Sequence, residues 1–214
     1  MIYTREHPSP RYLELQKMYR VMHEKGETFL GIPADQTFPG KSLLPQAGRV
    51  KRLIEATSAL TVLDYGSGKG KQYEPTTLTD GKGGSWPGVL DYWEVDEVVC
   101  YDPCYAPYAR LPDVTFDSVI CTDVLEHCPE QDMTWIVEEL FAYARRFVFA
   151  NVACYPASKR LPSGENAHCT IKPPEWWQEI FETAAARHDG VMWEVWVQWR
   201  LENGKLVEQK IGTS

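Results

Sequence analysis

The chain is poor in basic charge for its size: 22 Lys and Arg stand against 30 Asp and Glu in 214 residues, a formal charge of −8. Broad binding along a phosphate backbone draws its affinity from clustered Lys and Arg, so this balance argues against an extended nucleic-acid partner. No apolar run approaches the roughly 20 residues that span a bilayer, which excludes a helical membrane span. The opening stretch MIYTREHPSPRYLELQ is charged from Arg5 onward and lacks the apolar core of a secretory signal. The expectation is a soluble, untargeted, cytoplasmic protein. No repeat is visible, and eight Trp with eleven Tyr argue against disorder. Of the six cysteines, Cys100 and Cys121 sit inside apolar, strand-like runs, so reduced thiols are expected. A zinc site from Cys100, Cys104, Cys121 and Cys128 is conceivable, but the gaps between them are wider than the hooks of a zinc ribbon.

What is present has a clear order. Residues 10–25 carry Tyr12, Leu13, Leu15, Met18, Tyr19 and Met22 at helical spacing, with Gly26 as a stop. A Gly/Pro-rich connection follows, then a second helix in QAGRVKRLIEAT. From Leu60 the pattern changes to short apolar runs that end in polar residues: LTVLDY, EVVCYD, FDSVICTD and RFVFANV. These read as buried strands, with a helix in MTWIVEELFAYARR between the last two and a Gly/Pro/Thr surface loop at 74–88. The carboxyl end alternates in VMWEVWVQWRL and turns at Asn203-Gly204, a strong hairpin signal. The predicted fold is a three-layer, Rossmann-like α/β sandwich whose mostly parallel sheet is closed by a C-terminal antiparallel hairpin. Residues 1–50 are expected to form a helical cap and 51–214 the main domain.

Ligands of open parallel sheets sit beyond the carboxyl ends of the strands. Three strands here end in a carboxylate: Asp64, Asp102 and Asp123. Glycines at 66, 68 and 70 would let a ligand approach the backbone and its amides. The P-loop pattern is lacking, because Lys71-Gln72 follow Gly70 where Lys-Ser/Thr is required, and Asp64 would repel phosphate. The spacing of the glycines also misses the dinucleotide fingerprint GxGxxG. A ligand bearing an amine and ribose hydroxyls fits better.

VLDYGSGKG resembles the first motif of the class I S-adenosylmethionine-dependent methyltransferases, and VVCYDP resembles their second-strand acidic end. FDSVICTDVLEHCPE is similar to the fourth-strand segment of the small-molecule O-methyltransferases, including those of ubiquinone biosynthesis. The resemblance covers about residues 60–211 and implies S-adenosyl-L-methionine as cofactor. It also implies that Gly66, Ser67, Gly68 and Gly70 line the methionyl part, with Asp64 anchoring the loop. Asp102, with Pro103, would hold the ribose, and Asp123 would lie near the methionyl end. Each of Asp64 and Asp102 also has a plain reading as a loop-pinning or turn residue. Two departures stand out: an insertion around KGGSWPG, and PCYAPYARLPDV in place of a full strand before Phe116.

DVLEH places Asp123, Glu126 and His127 at i, i+3 and i+4, on one face if the segment is helical. His168 lies in a polar loop after the fourth strand and should return to the same rim. Two carboxylates and two imidazoles would suit a divalent ion, with Mg, Mn, Fe and Zn all open. The ubiquinone-pathway O-methyltransferases and the small-RNA 3′-terminal 2′-O-methyltransferases carry a similar acidic-x-x-Glu-His cluster plus a later His as a metal site. Here Asp123 stands where those families often have Glu. Such an ion would orient and acidify an acceptor hydroxyl; without it, His168 alone would be the base. A packed, hydrogen-bonded role for His127 stays open. Trp176 and Trp177 follow Pro173-Pro174 at a helix start and read as core, while Tyr155, Trp86 and the first helix would cover an acceptor. The expectation is methyl transfer to oxygen, less favourably nitrogen, of a small metabolite, sugar or nucleotide-like acceptor. Alternatives are a metal-dependent 2′-O-methyltransferase of an RNA end, and a protein that binds or cleaves S-adenosylmethionine without methyl transfer.

Overall fold

A computed structural model describes residues 2–79 and 83–213. Helix α1 spans Pro10–Lys25, as the spacing predicts, and its ends are set locally. Ser9 Oγ accepts the Tyr12 amide at 3.0 Å, Pro10 opens the first turn where its missing amide costs nothing, and Gly26 stops the helix at φ 87°. Ser9 is fully buried; its amide donates to Asp132 Oδ1 at 2.9 Å and its hydroxyl to Asp132 Oδ2. Ser9→Ala removes a cap and leaves a buried carboxylate oxygen short of a donor. A loss of about 2 kcal/mol is expected, read as a lower urea midpoint with unchanged slope; an unmoved midpoint would refute this anchoring role.

The sheet contains six strands in the order β4-β1-β5-β6-β7-β8. These are β1 Thr61–Tyr65, β4 Glu97–Tyr101, β5 Phe116–Thr122, β6 Ala144–Ala153, β7 Met192–Arg200 and β8 Leu206–Gly212. All neighbours are parallel except β7 and β8, which form the expected antiparallel hairpin. Helices α4 (Met133–Tyr143) and α5 (Pro174–Ala185) cover one face, where Val137, Phe141, Trp177 and Phe181 pack against Val119, Val148 and Val195. Helices α2 (Ala47–Thr57) and α3 (Val89–Trp93) cover the other, where Val50, Leu53 and Trp93 meet Val62, Ile120 and Phe149. Strands buried on both faces read as continuous apolar runs, which is the pattern seen in β5 and β6. Trp177 is core, as expected, and Trp176 packs at the edge of the same cluster.

Some details differ from the sequence reading. Strand β6 starts at Ala144, so Arg145 and Arg146 leave the helix and bind Asp117 at 3.1 and 3.3 Å. Residue 50 lies inside α2, whose apolar face belongs to the sheet's core rather than to a separate cap. The expected loop at 74–88 contains a small antiparallel pair, β2 Leu78–Thr79 and β3 Ser85–Trp86; residues 80–82 of it lie outside the described residues. Between β4 and β5 the chain makes only a 3-10 turn at Ala106–Tyr108. All six cysteines are free thiols. No described helix is long and apolar enough to cross a membrane.

Candidate active site

A cavity of about 440 Å³ opens at the carboxyl ends of β1, β4, β5 and β6. Gly66, Gly68, Asp102 and Pro103 line one part of it, and Asp123, His127, Tyr155 and His168 another. Helix α1 supplies a wall through Tyr12, Leu15, Tyr19 and His23.

The glycine loop is closed in on itself. The Gly66 and Ser67 amides donate to Tyr101 O at 2.7 and 3.1 Å, and the Gly68 amide donates to Asp102 Oδ2 at 3.0 Å. Lys69 and Lys71 donate their amides to Phe38 O and Pro39 O at 2.9 Å each, and Gly70 donates to Ser67 O at 3.3 Å. Six successive amides are thus committed, so the loop cannot cradle a phosphate through them. The glycines make room for protein. A Cβ on Gly68 would stand 2.4 Å from Phe38 O, one on Gly66 the same distance from the Val124 side chain, and one on Gly70 3.0 Å from the Tyr108 ring. The expectation that these residues expose amides to a ligand is therefore corrected. Gly66 and Gly68 offer bare Cα surface to the cavity, while Ser67 and Gly70 do not line it.

Asp64 likewise lies beneath the loop rather than in the cavity. Its Oδ2 accepts Gln72 Nε2 and Tyr73 Oη at 2.8 Å each, and burial pushes its carboxyl up to about 6. It pins the loop, the plainer of its two readings. Asp102 faces the cavity with Oδ1 on the Cys104 amide at 2.8 Å and Oδ2 on Gly68. Burial raises it to about 6, against the pull of those two amides and of Lys69. His23 stands 3.7 Å from Asp102 Oδ2, stacks on Tyr105 and meets Lys69 Nζ at 3.0 Å. Burial first, and then Lys69, lower it to about 3, so it is neutral at pH 7.

At the other end, Asp123 follows β5 in the left-handed region at φ 60°, a conformation that Asp tolerates better than most side chains. Leu125–His127 then forms a 3-10 turn, not an α-helix. Asp123 lies before that turn, and its left-handed φ, followed by Val124 at φ −131°, sets where its carboxylate points. Ligating atoms of Asp123, Glu126 and His168 lie within 4.8 Å of one another, while His127 falls outside that group. Glu126 is fully buried. Its Oε1 accepts the Ala153 amide at 2.7 Å, and its Oε2 has no partner. Burial and then the neighbouring Asp123 push its carboxyl well above the usual range.

His168 reaches this cluster because the Cys169 and Thr170 amides donate to Glu126 O at 2.9 and 3.0 Å. Its Nδ1 donates to Tyr155 O at 2.6 Å, which leaves Nε2 with a lone pair. His127 follows the same logic. The Tyr19 hydroxyl donates to Ala167 O at 2.7 Å, so it accepts from His127 Nδ1 at 2.8 Å. Both imidazoles are held below their usual value, His127 at about 4, with burial as the first cause in each. Their rings meet edge to face at 4.7 Å.

Comparison with known proteins found no matching family model, no matching curated protein and no matching solved structure.

The donor set fits a divalent ion of intermediate hardness: two carboxylates, one with an orphaned buried oxygen, and an imidazole fixed through its far nitrogen by a carbonyl. The opposite end fits a ligand that presents hydroxyls or an amine, since what it offers is a carboxylate rather than free amides. Trp86, expected near the acceptor, packs on Tyr92 instead at 4.7 Å and lies off the cavity. Tyr19, His23, Phe38, Lys41 and Lys159 line the cavity without having been singled out from the sequence as site residues. Tyr12, Tyr19 and His23 do share one face of α1 at i, i+7 and i+11, a signal masked by the general amphipathicity of that helix.

Proposed function

We propose that the chain transfers a methyl group from S-adenosyl-L-methionine to an oxygen of a small acceptor, with a divalent ion at Asp123, Glu126 and His168. One observation carries this reading: a single cavity joins Asp102, Gly66 and Gly68 to Asp123, His127 and His168 across the strand ends. Its volume suits small ligands rather than a polymer.

The cofactor would supply an already reactive methyl donor, and the ion would hold and acidify the acceptor hydroxyl. Asp102 accepts hydroxyl donors at the cofactor end. His168 Nε2 has one free lone pair: with an ion in place it would be a ligand, and without the ion it accepts the acceptor's proton. Its neutral state at pH 7 leaves that lone pair free, and the Tyr155 carbonyl on Nδ1 stabilises the charge that then forms. His127, fixed by Tyr19 and Ala167, presents its own Nε2 beside it. Burial and Asp123 favour the uncharged form of Glu126, which would give up its proton on holding the ion.

Calorimetry with S-adenosylhomocysteine, with and without EDTA, tests the cofactor. Binding in the micromolar range or better is expected in both; absence of binding would end the methyl-transfer reading. Accumulation of S-adenosylhomocysteine only when an acceptor is present would separate transfer from cleavage.

The pH dependence of that binding is a sharper test. Asp102 has a raised pKa in the folded protein, so its negative charge is present above about 6 and is lost as the pH falls through that value. Affinity for S-adenosylhomocysteine should therefore decline below pH 6. Asp102→Asn should weaken binding by roughly 10- to 100-fold at pH 7.5 and flatten the decline. An unchanged affinity would refute its ribose role.

A further inference from the structure

Most cations around the cavity are already engaged. Beside the cavity lining, Lys69 contacts His23, Arg20 donates to Pro103 O at 3.3 Å, and Arg200 lies 4.9 Å from the centre of the Tyr155 ring. The His23 imidazole is neutral at pH 7. Two ammonium groups remain. Lys41 and Lys159 both line the cavity, and among the described residues no carboxylate lies within 4.0 Å of either.

These two come from different parts of the chain. Lys41 is exposed and follows the Phe38–Gly40 strap, and its neighbour Ser42 reaches toward Thr122 O, the residue before Asp123. Lys159 is half-buried on the loop that carries His168, with Nζ 5.4 Å from the Phe38 ring. Ser42 and Ser158 add hydroxyl donors to the same lining. The cavity thus has carboxylates at Asp102 and Asp123 and two unpaired cations where the acceptor side meets solvent. In a chain of net charge −8, that local reversal of sign is a selective feature.

Resting on the methyl-transfer reading, we infer that the acceptor is a small anion, a phosphate or carboxylate held by Lys41 and Lys159 with its hydroxyl turned toward Asp123 and His168. The lysines orient the acceptor end for end. The anionic group is repelled by Asp123 and drawn to the ammonium groups, so the neutral hydroxyl meets the base.

The test is binding of paired probes to the S-adenosylhomocysteine-loaded protein: ribose 5-phosphate against ribose, and 2,3-dihydroxybenzoate against catechol. The charged member of at least one pair is expected to bind about tenfold more tightly, and Lys41→Met/Lys159→Met to remove most of that preference. The two pairs distinguish a phosphate from a carboxylate as the anionic group. Lys41→Met alone, at an exposed position, serves if the double variant does not fold, and should lower the preference in part. Equal affinity within both pairs, no binding of either charged probe at 10 mM (about tenfold above a typical upper KM), or a preference kept by the variants would overturn the inference. If S-adenosylhomocysteine itself fails to bind, the methyl-transfer reading falls first. The same probe pairs titrated into ligand-free protein then decide whether the lysines select an anion.

Discussion

His168→Ala is expected to lower turnover by roughly two to four orders of magnitude while leaving S-adenosylhomocysteine bound. The imidazole stands at the far end of the cavity from Asp102, so its loss leaves the cofactor end intact. Two mutually exclusive roles compete for its one free lone pair: accepting a proton, or holding an ion with Asp123 and Glu126, whose ligating atoms lie within 4.8 Å of a ring nitrogen. The roles separate by rescue. Added imidazole restores part of the rate if proton acceptance is the larger role, whereas raised Mn²⁺ restores it if ion holding dominates. A variant with full activity would remove His168 from the mechanism. Single-turnover measurements are the appropriate readout, since product release would otherwise hide a slowed chemical step.

The second large effect is expected at Glu126. Glu126→Gln keeps the shape and the oxygen that accepts the Ala153 amide, but replaces the orphaned carboxylate oxygen with an amide NH₂. An ion-binding site that loses one of two carboxylates should lose on the order of 100-fold or more in Mn²⁺ affinity, measured by calorimetry. Burial and Asp123 already favour the uncharged form of Glu126 when no ion is bound, so the change relieves no charge there, and the new NH₂ can donate to the Asp123 carboxylate. In EDTA the variant should therefore melt close to the unsubstituted chain, and below it in saturating Mn²⁺. Unaltered Mn²⁺ binding would show that Glu126 is a structural carboxyl group, not a ligand.

Much of the fold is legible because its cues are side-chain cues. The apolar runs of β1, β4 and β5, the alternation of β7 and the Asn203-Gly204 turn all survive into the structure within a residue or two. The arrival of His168 at the DVLEH segment was likewise readable from strand order alone. The divergence of His127 was not, because the choice between α and 3-10 geometry over three residues depends on how the chain leaves β5 at Asp123. The start of β6 was misread because Ala144, Arg145 and Arg146 serve a helix end as readily as a strand end. The seat of the glycine loop was invisible for a deeper reason. Phe38 and Pro39 hold it through their carbonyls, and main-chain contacts leave almost no trace in residue type.

That seat changes what the leading segment is for. A cover hinged over a cleft would leave the cleft's floor intact when it swings away. Here the floor is laced to residues 38–40, which are continuous through Gly26–Thr37 with the helix that forms the wall, so wall and floor move as one piece. Amide hydrogens at Gly66–Lys71 should exchange among the slowest in the chain even before any ligand arrives. A version of the protein trimmed to begin at α2 would have lost the backing of its own binding loop.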